Sequence, residues 1–213
     1  MGKKRNKGRN YGHLQGVKTV EKIVKSSIKL KIPIITFYVF STENWKRPKA
    51  EINFLFKLIV NYFNKEIKNV TENGIRINII GKINKLPSKI KNSLKKTIKS
   101  TQKNRKIIVN LAINYGAKDE ITQSLKTIKK NNKTINEKNI IQNLYTKNLL
   151  DPDILIRTGG HKRLSNFMLW QLAYAEIYFL EKLWPDFNHN DLTKILKGYI
   201  KTKRNFGSIY YVK

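Results

Sequence analysis

DILIRTGGHKRLSNFMLWQLAYAE, residues 153–176, holds an apolar run, a glycine pair, a string of cations and a helix-forming segment within one short stretch. Ile154, Leu155 and Ile156 read as a buried strand of a parallel sheet, and Gly159-Gly160 lets the backbone turn and come close to a ligand. Arg157, His161, Lys162 and Arg163 surround that turn. Ser165 or Asn166 is placed to cap a helix over 166–175, whose free N–H groups and positive dipole end would face the same space. The pattern predicts an anion site. A strand, turn and helix joined by a solvated basic loop is the plainer alternative.

Outward from this stretch, strand and helix patterns alternate. Leu14, Val17, Val20, Val24 and Ile28 form a helical stripe, and an apolar run follows from Ile32 to Phe40. Residues 49–71 predict a helix with a wide apolar face: Phe54, Leu55, Leu58, Ile59, Tyr62, Phe63, Ile67 and Val70. Asn73-Gly74 ends it. Strands are predicted at 75–80 and 106–113, and a helix after Pro87. Further helices are predicted over 117–130 and 136–147, then strands at 153–157 and 177–180 and a last helix over 190–203. This order predicts one α/β domain spanning 1–213, with a mainly parallel central sheet flanked by helices.

Composition narrows the function. Forty-four Lys and Arg against 14 Asp and Glu give a net charge of +30, which suits nucleic acid, a polyanionic substrate or an anionic membrane surface. The lysines are spread over every segment, so a compositional bias explains the charge equally well. The absence of cysteine excludes disulfides, thiolate nucleophiles and Cys-bound zinc. No apolar run reaches the roughly 18–20 residues of a membrane span, and MGKKRNKGRN lacks the apolar segment of a signal peptide. A cytoplasmic protein is expected.

In a parallel sheet, ligands gather beyond the carboxyl ends of the strands. There the chain reads Ser41-Thr42-Glu43-Asn44-Trp45-Lys46-Arg47-Pro48, rich in hydrogen-bonding groups, with a flat indole and a guanidinium suited to phosphate. Ordinary loop capping is the alternative. Arg9 and His13, at the start of the first helix, form a third basic element. Basic loops on one rim beside a greasy helix predict a site with a polyanionic head and an apolar cavity, which fits diphosphates of long hydrocarbons.

FSTENWKRP at 40–48, NYG at 114–116, DILIRTGG at 153–160, RLSNFMLWQLAYAE at 163–176 and LWPDF at 183–187 resemble the cis-prenyltransferase family, over nearly the whole chain and in order. Undecaprenyl diphosphate synthase is its bacterial type. The resemblance implies a homodimeric, Mg²⁺-dependent α/β enzyme, distinct in fold from dinucleotide-binding proteins. Such an enzyme adds isopentenyl diphosphate in cis to an allylic, farnesyl-type diphosphate. The product would be a polyprenyl, undecaprenyl-like, lipid carrier for cell wall synthesis, released with peripheral membrane contact. Carried over by position, Arg9 and His13 would hold the allylic diphosphate, and Ser41, Thr42 and Glu43 would line the substrate site. Asn44 matches the position proposed as proton acceptor, while Trp45 and Arg47 would contact substrate. Arg157, Arg163 and Ser165, with Leu164 between them, would grip isopentenyl diphosphate, and Glu176 matches a magnesium-binding carboxylate. Phe54, Leu58, Tyr62 and Phe63 are candidates for the wall of the hydrocarbon channel, with Phe37 and Val39 above them.

Two departures stand out. Family members begin with a strand and a Met-Asp-Gly-Asn-Gly-Arg-Trp phosphate loop whose aspartate binds metal; here Met1 falls on the tryptophan position, so this substrate-binding segment is expected to be truncated. After Gly160, His161-Lys162 replaces Glu-His, and an ammonium cannot coordinate a metal while protonated. The alternatives are a catalytically inactive partner subunit and a basic nucleic-acid-binding protein. No nucleic-acid motif is present, and no nucleic acid partner is expected.

Overall fold

The computed structural model describes residues 8–204. The first stripe folds as helix α1, Arg9–Lys29, which ends where Lys31 turns left-handed at φ 56° two residues before Pro33. Helix α2, Lys49–Glu72, begins directly after Pro48 and stops at Asn73-Gly74, where Gly74 takes φ 68°. Its buried residues Ile52, Leu55, Phe56, Ile59, Val60 and Phe63 follow the three-and-four spacing of a single helical face. Helices α3 (Ser88–Thr101), α4 (Ala117–Lys130), α5 (Glu137–Ile141) and α6 (His189–Ile200) complete the helical set among the described residues.

The strands are β1 (Ile34–Ser41), β2 (Ile75–Ile80), β3 (Ile107–Tyr115), β4 (Ile154–Thr158) and β5 (Glu176–Leu180). Every pairing is parallel, as the alternating pattern predicts. A buried polar ladder fixes the register of the first three strands. Asn78 Nδ2 donates to Asn110 Oδ1 at 2.9 Å, and Asn110 Nδ2 donates to Thr36 Oγ1 at 3.1 Å, all three residues being in register. A slip by one residue would bury these amides without partners.

The single sheet expected from sequence is divided in two. One sheet has the order β1-β3-β2, and β4-β5 form a separate pair. The two still share their packing faces. On one side, Ile35 and Phe37 of β1 and Ile154 and Ile156 of β4 pack against Ile23 of α1 and Leu192 and Ile195 of α6. On the other, Tyr38 of β1 and Leu155 of β4 meet Phe167, Met168 and Leu172. Among the described residues no backbone bond joins β1 to β4.

Two predicted helices are absent or short. Over 136–147 only Glu137–Ile141 is helical, because the N–H of Tyr145 donates to the Glu120 carboxylate at 2.7 Å instead of a helical carbonyl. The segment 166–175 forms consecutive turns with no helix, so the expected cap and dipole end are not there. Ser165, Asn166 and Met168 are left-handed at φ 51°, 63° and 43°, and the Asn166 carbonyl accepts from Ala117 N at 2.8 Å. Short polar side chains tolerate that region, and the free N–H groups at the start of α4 offer better partners than a local helix would.

Candidate active site

The carboxyl ends of β1, β3 and β4 carry the predicted polar loops, now with defined partners. After β1 the chain makes a 3-10 turn, Thr42–Lys46. Asn44 stabilises it by accepting the Ser41 N–H on Oδ1 at 3.1 Å, so its amide oxygen is engaged and its NH₂ group is left to face a ligand. Trp45 donates from Nε1 to Asn114 Oδ1 at 2.7 Å and meets Phe40 and Phe56 edge-on, which fixes the indole although 40% of it is exposed. A cavity of about 380 Å³ opens beside it, lined by Thr42, Trp45, Lys82, Lys85, Asn114 and Asp119.

The first cation cluster is organised by Glu51 in the first turn of α2. Its carboxylate binds Arg9 at 2.9 Å and Arg47 at 3.1 Å and lies 3.4 Å from His13 Nε2. Burial works to raise the Glu51 pKa, but Arg9, Arg47 and His13 outweigh it and hold the group below its ordinary value. Arg9 and His13 thus reach Glu51, and Arg47 beside it, from 42 and 38 residues away in sequence.

The second cluster follows β4. Arg157 donates from Nη1 to Ser165 Oγ at 2.9 Å and to the Arg163 carbonyl, which curls 157–165 into a basic loop. Burial, together with the neighbouring Arg163 charge, lowers the Arg157 pKa. The Glu181 carboxylate lies against Gly160 in the same loop, but among the described residues it forms no ion pair with either guanidinium, and two like charges held this close favour a bound anion. Leu164 is half-buried against the apolar cluster behind the loop, which makes it an anchor for Arg163 and Ser165. His161 and Lys162 are exposed.

The two clusters meet through Asn166, expected from sequence only as a helix cap, and Glu43, expected to line the substrate site. Asn166 Nδ2 donates to Glu43 Oε1 at 2.7 Å and its Oδ1 accepts from Lys118 N at 2.9 Å, while the Tyr38 hydroxyl donates to the Tyr115 carbonyl at 3.2 Å with the Ser165 carbonyl 3.4 Å away. Burial, with Glu43 nearby, pushes the Tyr38 phenol up to about 12, so it stays a donor. Gly116 makes the approach possible: a Cβ there would lie 2.5 Å from Thr42 Oγ1 and 2.7 Å from Asn166 Nδ2. Asn166 and Glu51 were detectable in the sequence only as an asparagine before a helical pattern and an acid in a first turn.

Not every expected residue joins the site. Glu176 opens β5 opposite Ile154, at the far end of the strand pair from Thr158, roughly 13 Å away at about 3.3 Å per residue. Met1 lies outside the described residues. Among the described residues no three acidic or imidazole groups converge to hold a metal. Of the acids near the rim, Glu43 is bonded to Asn166, Glu51 to its cations and Asp119 to Lys82 at 2.6 Å. Among the described residues these acids do not assemble the expected Mg²⁺ site.

The pattern of the family described as putative undecaprenyl diphosphate synthase matches residues 1–207. The chain belongs to the undecaprenyl diphosphate synthase family. An isoprenyl transferase of Clostridium perfringens is 42% identical, over 97% of this chain and 85% of its own length. The ditrans,polycis-undecaprenyl-diphosphate synthase ((2E,6E)-farnesyl-diphosphate specific) of Buchnera aphidicola is 43% identical, over 97% of this chain and 86% of its own. Among solved structures, lavandulyl diphosphate synthase from Lavandula x intermedia, in complex with dimethylallyl diphosphate, superposes with a TM-score of 0.92 at 31% identity. That match covers 97% of this chain and 92% of the other. A probable undecaprenyl diphosphate synthase from Campylobacter jejuni gives 0.83 at 39% identity, covering 91% and 92%. This undecaprenyl diphosphate synthase family member therefore has the α/β fold of prenyl diphosphate enzymes, with two cation clusters at its strand ends.

Proposed function

We propose that the chain is an isoprenyl transferase that condenses isopentenyl diphosphate with an allylic, farnesyl-type diphosphate in cis to give a polyprenyl diphosphate. The observation that carries this reading is the pair of cation clusters on either side of the Thr42–Lys46 turn: Arg9, His13 and Arg47 on one side, Arg157, Arg163 and Ser165 on the other. Two diphosphates need two such grips. At the first cluster the allylic C–O bond breaks and its electron pair leaves with the diphosphate, whose growing negative charge the guanidinium groups stabilise. The isopentenyl double bond, held by the second cluster, attacks the allylic carbon and forms the new C–C bond. The proton then lost passes to a diphosphate oxygen. Asn44, its oxygen already engaged by Ser41, orients that oxygen through its NH₂ group.

The growing hydrocarbon would lie beside α2, where Phe54, Leu58 and Tyr62 are half-buried, whereas Phe63 is a core residue at 5% exposure and lines the wall only from behind. At about 0.8 kcal/mol per buried CH₂, this surface supplies much of the product affinity. Homodimer formation is supported by the exposed apolar residues Ile177 and Phe179 on β5. Cytoplasmic location, with peripheral membrane contact when the lipid product leaves, belongs to the same reading. No described helix is long and apolar enough to cross a membrane. The expected Mg²⁺ dependence would require carboxylates beyond those the described residues bring together.

That shortage of carboxylates favours a second reading, a catalytically inactive partner subunit of such an enzyme. Incubating the purified chain with radiolabelled isopentenyl diphosphate, farnesyl diphosphate and Mg²⁺, alone and with an active relative, decides between them. Polyprenyl product from the chain alone is expected. Product only when the relative is present, at a rate raised by this chain, would establish the partner reading instead.

A further inference from the structure

Asn166 has each of its polar side-chain atoms committed to a different element. Nδ2 donates to Glu43 at 2.7 Å and Oδ1 accepts the Lys118 N–H at the start of α4 at 2.9 Å, while its carbonyl accepts the Ala117 N–H at 2.8 Å. The amide has only one orientation here. Lys118 N–H must meet the oxygen, so the NH₂ group must meet the Glu43 carboxylate. The backbone at φ 63° is a conformation that asparagine tolerates better than most residues, and Gly116 leaves room for the amide beside Thr42. Ser165, which Arg157 holds, is the preceding residue.

We infer that Asn166 is a positioning residue that ties the Arg157–Arg163–Ser165 loop to Glu43 and so sets the two diphosphate grips relative to each other. This rests on the transferase reading above. Without the Asn166 bond, Glu43 in its exposed turn would be held only by its own neighbours Ser41 and Thr42. The groups facing Glu43 are the Tyr38 phenol from β1, the Ser41 and Thr42 hydroxyls, and Asn166 with the amino end of α4 behind it. Burial works to raise the Glu43 pKa, and the hydrogen bonds, Asn166 first among them, bring it below its ordinary value.

Two substitutions separate this role from simple helix capping. Asn166→Asp keeps an oxygen for Lys118 N–H, loses the donor to Glu43 and sets a second carboxylate oxygen against it. Asn166→Gly accepts the left-handed backbone and loses both side-chain bonds. If Asn166 acts through Glu43, both variants lower kcat by about tenfold or more, the scale of one charge-assisted hydrogen bond. In the aspartate variant the KM for isopentenyl diphosphate rises less than in the glycine variant, since the Lys118 N–H still holds the loop to α4. Carboxyl ¹³C NMR, with Glu43 assigned through Glu43→Gln, would show its titration midpoint rise in both variants, and further in the aspartate variant, where a like charge faces it. An aspartate variant with wild-type kcat and an unmoved Glu43 midpoint overturns the inference, even if the glycine variant is impaired. Should the wild-type chain make no product, the transferase reading falls by itself, and the Glu43 titration still decides whether Asn166 holds that side chain.

Discussion

Replacing Glu120 by alanine is expected to destabilise the fold more than any substitution in the cation clusters. Glu120 is 1% exposed, and its carboxylate accepts from the Tyr115 hydroxyl at 2.6 Å, Tyr145 N at 2.7 Å and Gln171 Nε2 at 3.1 Å. Each bond to a charged acceptor contributes roughly 1.5–3 kcal/mol. The desolvation cost of the carboxylate, which disappears with it, offsets part of that sum. The two side-chain donors stay behind in buried space, Tyr115 at 0% and Gln171 at 2% exposure, so the net loss is estimated at about 4 kcal/mol. For a domain of this size that corresponds to a fall in Tm of roughly 8–16 °C. Glu120→Gln retains one acceptor oxygen and is expected to lose about half as much. Urea unfolding followed by tryptophan fluorescence at pH 7 measures both. A loss below about 1 kcal/mol for the alanine variant would refute the argument, because it would mean that the three donors find other partners at no cost.

Arg157→Ala should raise the KM for isopentenyl diphosphate by about 10–100-fold with a much smaller change for the allylic substrate, as initial-rate kinetics would record. An equal effect on both substrates would contradict separate grips. Gly116→Ala places a methyl 2.5 Å from Thr42 Oγ1 and is expected to cost about 1–3 kcal/mol and to lower activity by displacing Asn166; thermal unfolding and the product assay test it together. Glu51, whose folded pKa is depressed, contributes stability that is fully present above the ordinary value of 4.5 and is lost as pH falls through the lower folded value. In Glu51→Gln the stability curve should therefore flatten between about pH 5 and 3, and an unchanged acid limb would argue against the cluster.

The sequence was legible where side-chain period and chemistry coincide. The helix over 117–130 and the strand over 75–80 emerge with their observed bounds, because amphipathic spacing and flanking turn residues agree there. The second basic cluster was also legible, since Arg157, Arg163 and Ser165 are neighbours along the chain. Glu51 and Asn166 were not, because their roles depend on partners 42 and 123 residues away. The helix predicted over 166–175 failed for the same reason: propensity is local, while the bonds that displaced it run to α4 and Glu120. A motif position also does not say which end of a strand Glu176 occupies; the register with Ile154 does.

The division between β1 and β4 has a mechanical meaning. Among the described residues each group of strands is a plate stiffened by directional bonds, whereas the line between the plates is held mainly by apolar contact, which has less directional preference than a ladder of hydrogen bonds. The Arg157 loop rides on one plate and the Glu51 cluster on the other. The distance across which a carbon–carbon bond must form is thus a distance between two plates, and the hydrogen bond from Asn166 to Glu43 that crosses the line acts as its gauge.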